Sequence, residues 1–382
     1  MARLIVFDTS DFVSFPIGGQ LTSVGNFLTF LCESLKEERT KDILLVGVTK
    51  DKDRVGEWGS VEKAGRKLAF LPVASVETDL AHTAHSLRAA YVKGLLHYGR
   101  KLHLHRIDCC YVQTPEAVMA IRVLCPPTRI VLFSHGSYAN MARGFRFYKN
   151  NPLVKAGFVQ YLKQVLRYAD FIFVLDQKSF DDYLPYTDRL EKVTNSVVLP
   201  EGYQSWTPHA FAGRLLFAGR LSKDKGLAGI IRSMAELSDC RLSIVGDGEE
   251  RGTFEQMVRE LHLSDRVEFT GAVTPERVQE IMQQSDILLM NSDFEGVPMV
   301  ILEALANGLP VISTPVGGIP ETVAFGKDAE KSDGSAASIA AGVRMIQGSY
   351  ETYAKAAHEH AASYSYRVVG AQIYDTLKRY WV

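Results

Sequence analysis

Short runs that are apolar on both faces alternate with segments of helical periodicity along most of this chain, and that alternation restricts the possible folds more than any other feature. Strands are predicted at Leu4–Phe7, Ile43–Val48, Leu68–Pro72, Cys109–Gln113, Arg129–Ser134 and Phe171–Leu175, with a helix at Leu21–Lys36. A run such as Ile287-Leu288-Leu289-Met290 has no polar face. It needs cover on both sides, the condition of a strand inside a parallel sheet. Strands alternating with helices imply a doubly wound α/β sheet. After Val193–Pro200 the alternation begins afresh, with strands at Arg214–Phe217, Arg241–Val245, Val267–Thr270, Asp286–Met290 and Pro310–Thr314 and helices starting near Lys225, Glu249, Pro275 and Met299. The stretch 200–213 is rich in Gly, Pro and polar residues and is the expected boundary. Domains are therefore expected at 1–200 and 201–366, with a last helix, Arg367–Tyr380 within 367–382, crossing back onto the first. No repeat of short fixed period is visible, which excludes a solenoid.

At 382 residues and 46% hydrophobic composition, two full cores are within reach. The net charge of −1 conceals an asymmetry. Residues 1–195 hold 26 Lys and Arg against 20 Asp and Glu, and the remainder 17 against 24. The five cysteines are odd in number, lack CxxC spacing and sit in apolar contexts, so they read as buried thiols of a reducing compartment. No signal-like or membrane-spanning run is present, and the expected location is cytoplasmic, with peripheral attachment to the inner face of the cell membrane as a further expectation.

The stretch Phe294–Gly308, FEGVPMVILEALANG, carries the most chemical information. It reads as a strand-turn-helix junction, with Pro298 in the first helical turn. Such a start leaves the amides of Gly296, Val297, Met299 and Val300 without intrahelical partners, and with the macrodipole they favour a phosphate. Glu295 and Glu303 flank this anion site. Carboxylates accept from vicinal hydroxyls, so the pair fits a ligand that runs sugar, diphosphate, ribose. On these residues alone, Glu303 as a solvated helix residue and Glu295 as a first-turn charge fit equally well. Arg220, at the end of the first strand of the second domain, and Lys225, at the next helix start, would place two cations over the same anion. Gly18-Gly19, ahead of a helix, can admit a phosphate, although a glycine pair is usually a turn.

The segments GRLSKDKG (219–226), VGDGEE (245–250), FTGAV (269–273), EGVPMVILE (295–303) and PVISTPVGGIPE (310–321) together resemble the second domain of the retaining GT-B glycosyltransferases of family 4. The first half is similar mainly through Gly18-Gly19, Ser134-His135-Gly136 and the run Asp170–Asp176. The resemblance implies a GT-B fold, two Rossmann-like domains with parallel sheets facing across a deep cleft, and a nucleotide-diphospho-sugar co-substrate with no cofactor. It implies Arg220 and Lys225 on the diphosphate, Glu303 on the ribose and Glu295 on the transferred sugar. It further implies Gly296, Met299 and Val300 on phosphate and sugar, Gly219 and Gly246 in the donor loops, and Val273 near the base. His135 would lie beside the donor sugar, and Gly18 and Gly19 near the diphosphate and the acceptor. Retention of configuration follows from the resemblance alone. The only DxD, Asp51-Lys52-Asp53, is far in sequence from these motifs, so leaving-group stabilisation without a metal is expected. A nucleotide-sugar epimerase and a non-catalytic binding partner of another transferase are the alternatives.

Residues 86–168 hold 13 Lys and Arg against two acids, interleaved with aromatics. Leu87–His105 has the pattern of a basic amphipathic helix, and the expectation is a face that docks on anionic lipid and presents a glycan or lipid-linked acceptor. No nucleic-acid motif accompanies the basic residues, and no nucleic acid is expected.

Overall fold

A computed structural model describes residues 2–15, 18–76, 87–136 and 152–381, with the backbone alone at 152–155. Its contacts divide the chain into two units, Met1–Thr194 with Val369–Val382, and Asn195–Val368. The division falls ahead of the polar stretch expected to hold it.

The first unit is built on an eight-stranded sheet. Its strands are β1 (Leu4–Phe7), β2 (Ile43–Thr49), β3 (Gly59–Lys63), β4 (Arg66–Ser75), β5 (Cys109–Val112), β6 (Arg129–Ser134), β7 (Phe171–Val174) and β8 (Leu190–Lys192), in the order β3-β4-β2-β1-β5-β6-β7-β8. Seven are parallel, and their inner members are buried along their length because helices cover both faces. The expected all-parallel sheet is corrected at one edge, where β3 runs antiparallel to β4. The two meet through Ala64 and Gly65, both with positive φ (47° and 72°). That is the backbone of a two-residue type I′ hairpin, whose twist matches the strands it joins. The basic helix also differs from expectation. It spans Leu87–Tyr98 and tightens into a 3₁₀ turn over Gly99–Leu102, short of His105. Tyr91, Leu95 and Leu102 are buried in the unit's own core and Leu96 is exposed, so its leucines do not share one lipid-facing stripe.

The second unit contains β9 (Arg214–Ala218), β10 (Arg241–Val245), β11 (Val267–Gly271), β12 (Ile287–Met290), β13 (Val311–Ser313) and β14 (Ala329–Lys331), all parallel, in the order β11-β10-β9-β12-β13-β14. The order reverses between β9 and β12. In open α/β sheets such a reversal opens a crevice beyond the carboxyl ends of the strands, where ligands bind. The corresponding reversal in the first sheet lies between β1 and β5. Each unit has its own apolar core.

The chain end returns to the first unit. The helix Tyr366–Leu377 enters it, Gly370 packs on Phe30, and Trp381 is buried with its Nε1 donating to the Ala2 carbonyl at 2.8 Å and the Arg39 guanidinium 4.2 Å over its ring. Among the described residues no helix is long and apolar enough to cross a membrane.

Candidate functional site

Two loops meet where the second sheet's order reverses. After β9 the chain makes a 3₁₀ turn, Lys223–Lys225, and passes through Gly226 with φ 60°. A Cβ at Gly226 would collide with the Asn291 carbonyl, so the close approach to the end of β12 requires glycine. Asn291 Nδ2 donates to the Gly226 carbonyl at 2.9 Å and the Asp293 amide to the Asp224 carbonyl at 2.8 Å. Stitched in this way, the loops bring Lys225 Nζ to 2.5 Å from Glu295 Oε1, which also accepts from Ser292 Oγ at 2.7 Å. Both side chains are mostly buried, with 25% and 11% of their surface exposed. Behind Glu295, Gly317 (φ 58°) and Gly318 press on the backbone of Glu295 and Gly296, and the Gly318 amide donates to the Gly296 carbonyl at 2.9 Å.

The helix expected at Pro298 is there. It spans Met299–Ala306 with Pro298 as its N-cap, no capping side chain and no acid in its first turn, so the helix's own first turn supplies no counter-charge to its positive end. Asn195 Nδ2 holds the Val297 carbonyl at 2.9 Å. Glu303 is half-buried, and burial raises its carboxyl above the usual range.

Gly219 and Gly246 sit where the ends of β9 and β10 cross. The Gly219 amide donates to the Val245 carbonyl at 2.9 Å, the Gly246 amide to that of Gly271 at 2.9 Å, and a Cβ on Gly246 (φ 129°) would strike the Gly219 carbonyl. Val273 is half-buried just beyond Gly271. Arg220 does not join the Lys225 cluster. Its guanidinium meets Glu249 at 3.2 Å in a pair that is 72% and 55% exposed.

In the first unit, Gly18 (φ 152°) precedes the helix Gly19–Ser34, which also starts without a capping side chain. His135 follows β6 directly, and its Nε2 lies 2.8 Å from Gln113 Oε1. Burial pushes the imidazole down to about 3, so it is neutral at physiological pH. Asp8, at the end of β1, is fully buried and pushed up to about 6 by desolvation, with Gln20 and the Thr9 amide on its Oδ1. Of the basic face, Arg88 pairs with Glu116, Lys101 with Glu57 and the Gly56 carbonyl, and Arg122 with Asp170 and backbone carbonyls. Arg143, Arg146, Lys149, Phe145, Phe147 and Tyr148 lie outside the described residues, as does the side chain of Lys155.

The sequence reasoning missed Ser292, Asn291, Asn195, Gln113 and Asp8. All but Asn195 stand directly at a strand's carboxyl end, a position that singles them out once the strand order is known.

Residues 212–359 match the family described as "Glycosyl transferases group 1". The N-acetyl-alpha-D-glucosaminyl L-malate synthase of Bacillus anthracis is 38% identical over 115 residues, covering 29% of this chain and 30% of that protein. The lipopolysaccharide core biosynthesis glycosyltransferase LpsD of Rhizobium meliloti is 35% identical over 130 residues, covering 34% and 37%. The chain thus spans about a third of the length of these relatives. Over 99% of both chains, the fold is similar to that of sucrose-phosphate synthase from Thermosynechococcus elongatus, with a TM-score of 0.79 at 16% identity. Residues 212–359 are a glycosyl transferases group 1 domain, and the chain that carries them has the GT-B fold.

Proposed function

We propose that the protein transfers a hexose-type sugar, with retention of configuration, from a nucleotide-diphospho-sugar to a glycan or lipid-linked acceptor in the assembly of a cell-surface polysaccharide or glycolipid. The observation that carries this is the Lys225–Glu295–Ser292 cluster at the strand-order reversal of the second sheet, just ahead of an uncapped helix start. In the transfer the bond from the sugar's anomeric carbon to the diphosphate oxygen breaks, and the electron pair leaves with the diphosphate. The acceptor oxygen attacks from the same face and its proton passes to the departing phosphate. The enzyme's task is to stabilise the growing charge, which fixed cations and helix amides do at no cost in reorganisation.

Lys225 and Arg220 are assigned to the diphosphate, together with the amides of Gly296, Met299 and Val300. An exposed ion pair contributes little, so Arg220 exchanges Glu249 for a phosphate readily. Glu295 takes the hydroxyls of the transferred sugar and Glu303 those of the ribose, a role that suits a half-buried carboxylate. Gly219, Gly246 and Val273 line the nucleotide end. Gly18 and Gly19 lie toward the diphosphate and acceptor, and His135 beside the donor sugar. No metal is assigned to the step.

The test is a thermal-shift screen with UDP-glucose, UDP-N-acetylglucosamine and GDP-mannose, followed by turnover assays with and without chelator. A ligand that binds only the folded state raises its melting temperature. One of the three is expected to do so and to be turned over equally well in chelator. Melting unchanged by all three, or turnover abolished by chelator, would count against the reading.

A further inference from the structure

The register of the first sheet places four side chains in one column. Gln113 follows β5, and His135 follows β6. These strands are parallel neighbours with Tyr111 opposite Val131 and Val112 opposite Leu132. Continuing that register sets Gln113 beside Phe133, one alternation below His135. The Phe133 ring lies 4.8 Å from the imidazole and 6.3 Å, edge on, from the Tyr111 ring. Gln113 therefore stands with aromatic rings beneath it and His135 above it, at the strand-order reversal of its sheet.

Gln113 is 3% exposed, and its Nε2 is buried without a hydrogen-bond partner. Its Oε1 meets His135 Nε2 at 2.8 Å. A glutamine amide with only one end satisfied is costly in such a place, and a leucine of similar volume would pack on the same rings without that cost. The amide's one close hydrogen bond is to the imidazole, and the Tyr111 phenol interacts with the same amide. An amide oxygen accepts only, so the neutral ring must carry its proton on Nε2, which leaves Nδ1 as a lone-pair acceptor. Among the described residues Nδ1 has no partner.

We propose that Gln113 is the positioning residue of His135, fixing the imidazole in its Nε2–H tautomer with Nδ1 presented as an acceptor. The inference rests on the transferase reading only for its consequence in turnover. The tautomer stands apart from that reading.

The experiment records long-range ¹⁵N–¹H correlations of the histidine rings in the full chain, with His135→Ala identifying the signal. Wild type is expected in the Nε2–H form. Gln113→Met, nearly isosteric but with no carboxamide, should lose the fixed tautomer and lower kcat about tenfold, the worth of one neutral hydrogen bond, with KM for the nucleotide sugar unchanged. Gln113→Glu keeps an acceptor oxygen at the same reach and should retain the Nε2 proton and most of kcat. If Gln113→Met fails to fold, Gln113→Glu and wild type still decide the tautomer. His135 in the Nδ1–H form, or a Gln113→Met protein that keeps both tautomer and kcat, overturns the assignment. Wild type that turns over none of UDP-glucose, UDP-N-acetylglucosamine and GDP-mannose strikes the transferase reading instead, and the ring spectra still settle the role of Gln113.

Discussion

Two buried carboxylates in this protein behave differently because of what surrounds each. Glu295 has a cation at 2.5 Å and a hydroxyl donor at 2.7 Å. In the proposed transfer a donor sugar takes its place among these groups, so both partners are expected to matter to turnover. Lys225→Ala and Glu295→Ala should each lower kcat/KM by roughly a hundredfold or more, the usual loss for one preorganised electrostatic group. Far-UV circular dichroism should be unchanged, and near-full turnover in either variant would contradict the assignment. Among the described residues Asp8 is paired with no cation, and its Oδ2 is buried without a partner. Its carboxyl is raised from 3.8 to about 6, so between those values the folded state binds more protons than the unfolded one and stability falls as pH rises. At neutral pH the cost is on the order of 3 kcal/mol. Asp8→Asn removes the buried charge, so its melting temperature should exceed that of wild type at pH 8. The difference should shrink to nothing near pH 4, as thermal melts across that range will show.

Within the second sheet, site geometry depends on backbones that touch. β9 and β10 end in glycines whose main chains cross, with the Gly219 carbonyl where a Cβ of Gly246 would sit and a φ of 129° that L side chains rarely adopt. Gly246→Ala should cost about 1–3 kcal/mol in denaturant unfolding and weaken nucleotide-sugar binding, since relief of the clash moves the loop that carries Arg220. Preserved stability and binding would mean that the crossing relaxes freely. The inner strands were legible in the sequence because a strand buried on both faces has to be apolar throughout, and Leu4–Phe7, Arg129–Ser134 and Arg241–Val245 appear with the predicted bounds. The edge strands β3, β8 and β14 were not. Gly59–Lys63 has one buried residue among five, and three-residue strands carry no period. Its hairpin turn, Ala64-Gly65, was the one local signal available.

Over the whole chain, two cores form from a sequence whose last helix belongs to its first unit. Trp381 is 3% exposed and hydrogen-bonded to Ala2, so it ties the two chain ends of that unit together. Trp381→Ala should cost about 3–5 kcal/mol, the usual loss for a large buried aromatic. Calorimetry should find that loss in the transition of the first unit, and an unshifted melt would contradict the packing. The basic face of residues 86–168 is a prediction at the same scale. Among the described residues its apolar side chains are largely spent on the unit's own core, and there lipid attraction falls to exposed cations such as Lys93 and Arg100. Flotation with anionic liposomes should therefore be measurable at low salt and lost at physiological ionic strength, and no flotation at low salt would remove the membrane role.

What the sequence determined was the alternation of elements, the glycines that permit close approach, and the helix start at Pro298, because each follows from residue type and local spacing. The contact of Lys225 with Glu295, 70 positions apart, and of Gln113 with His135, 22 apart, came only with the sheets. Strand order and register decide which loop ends meet, and no local pattern of residues encodes either.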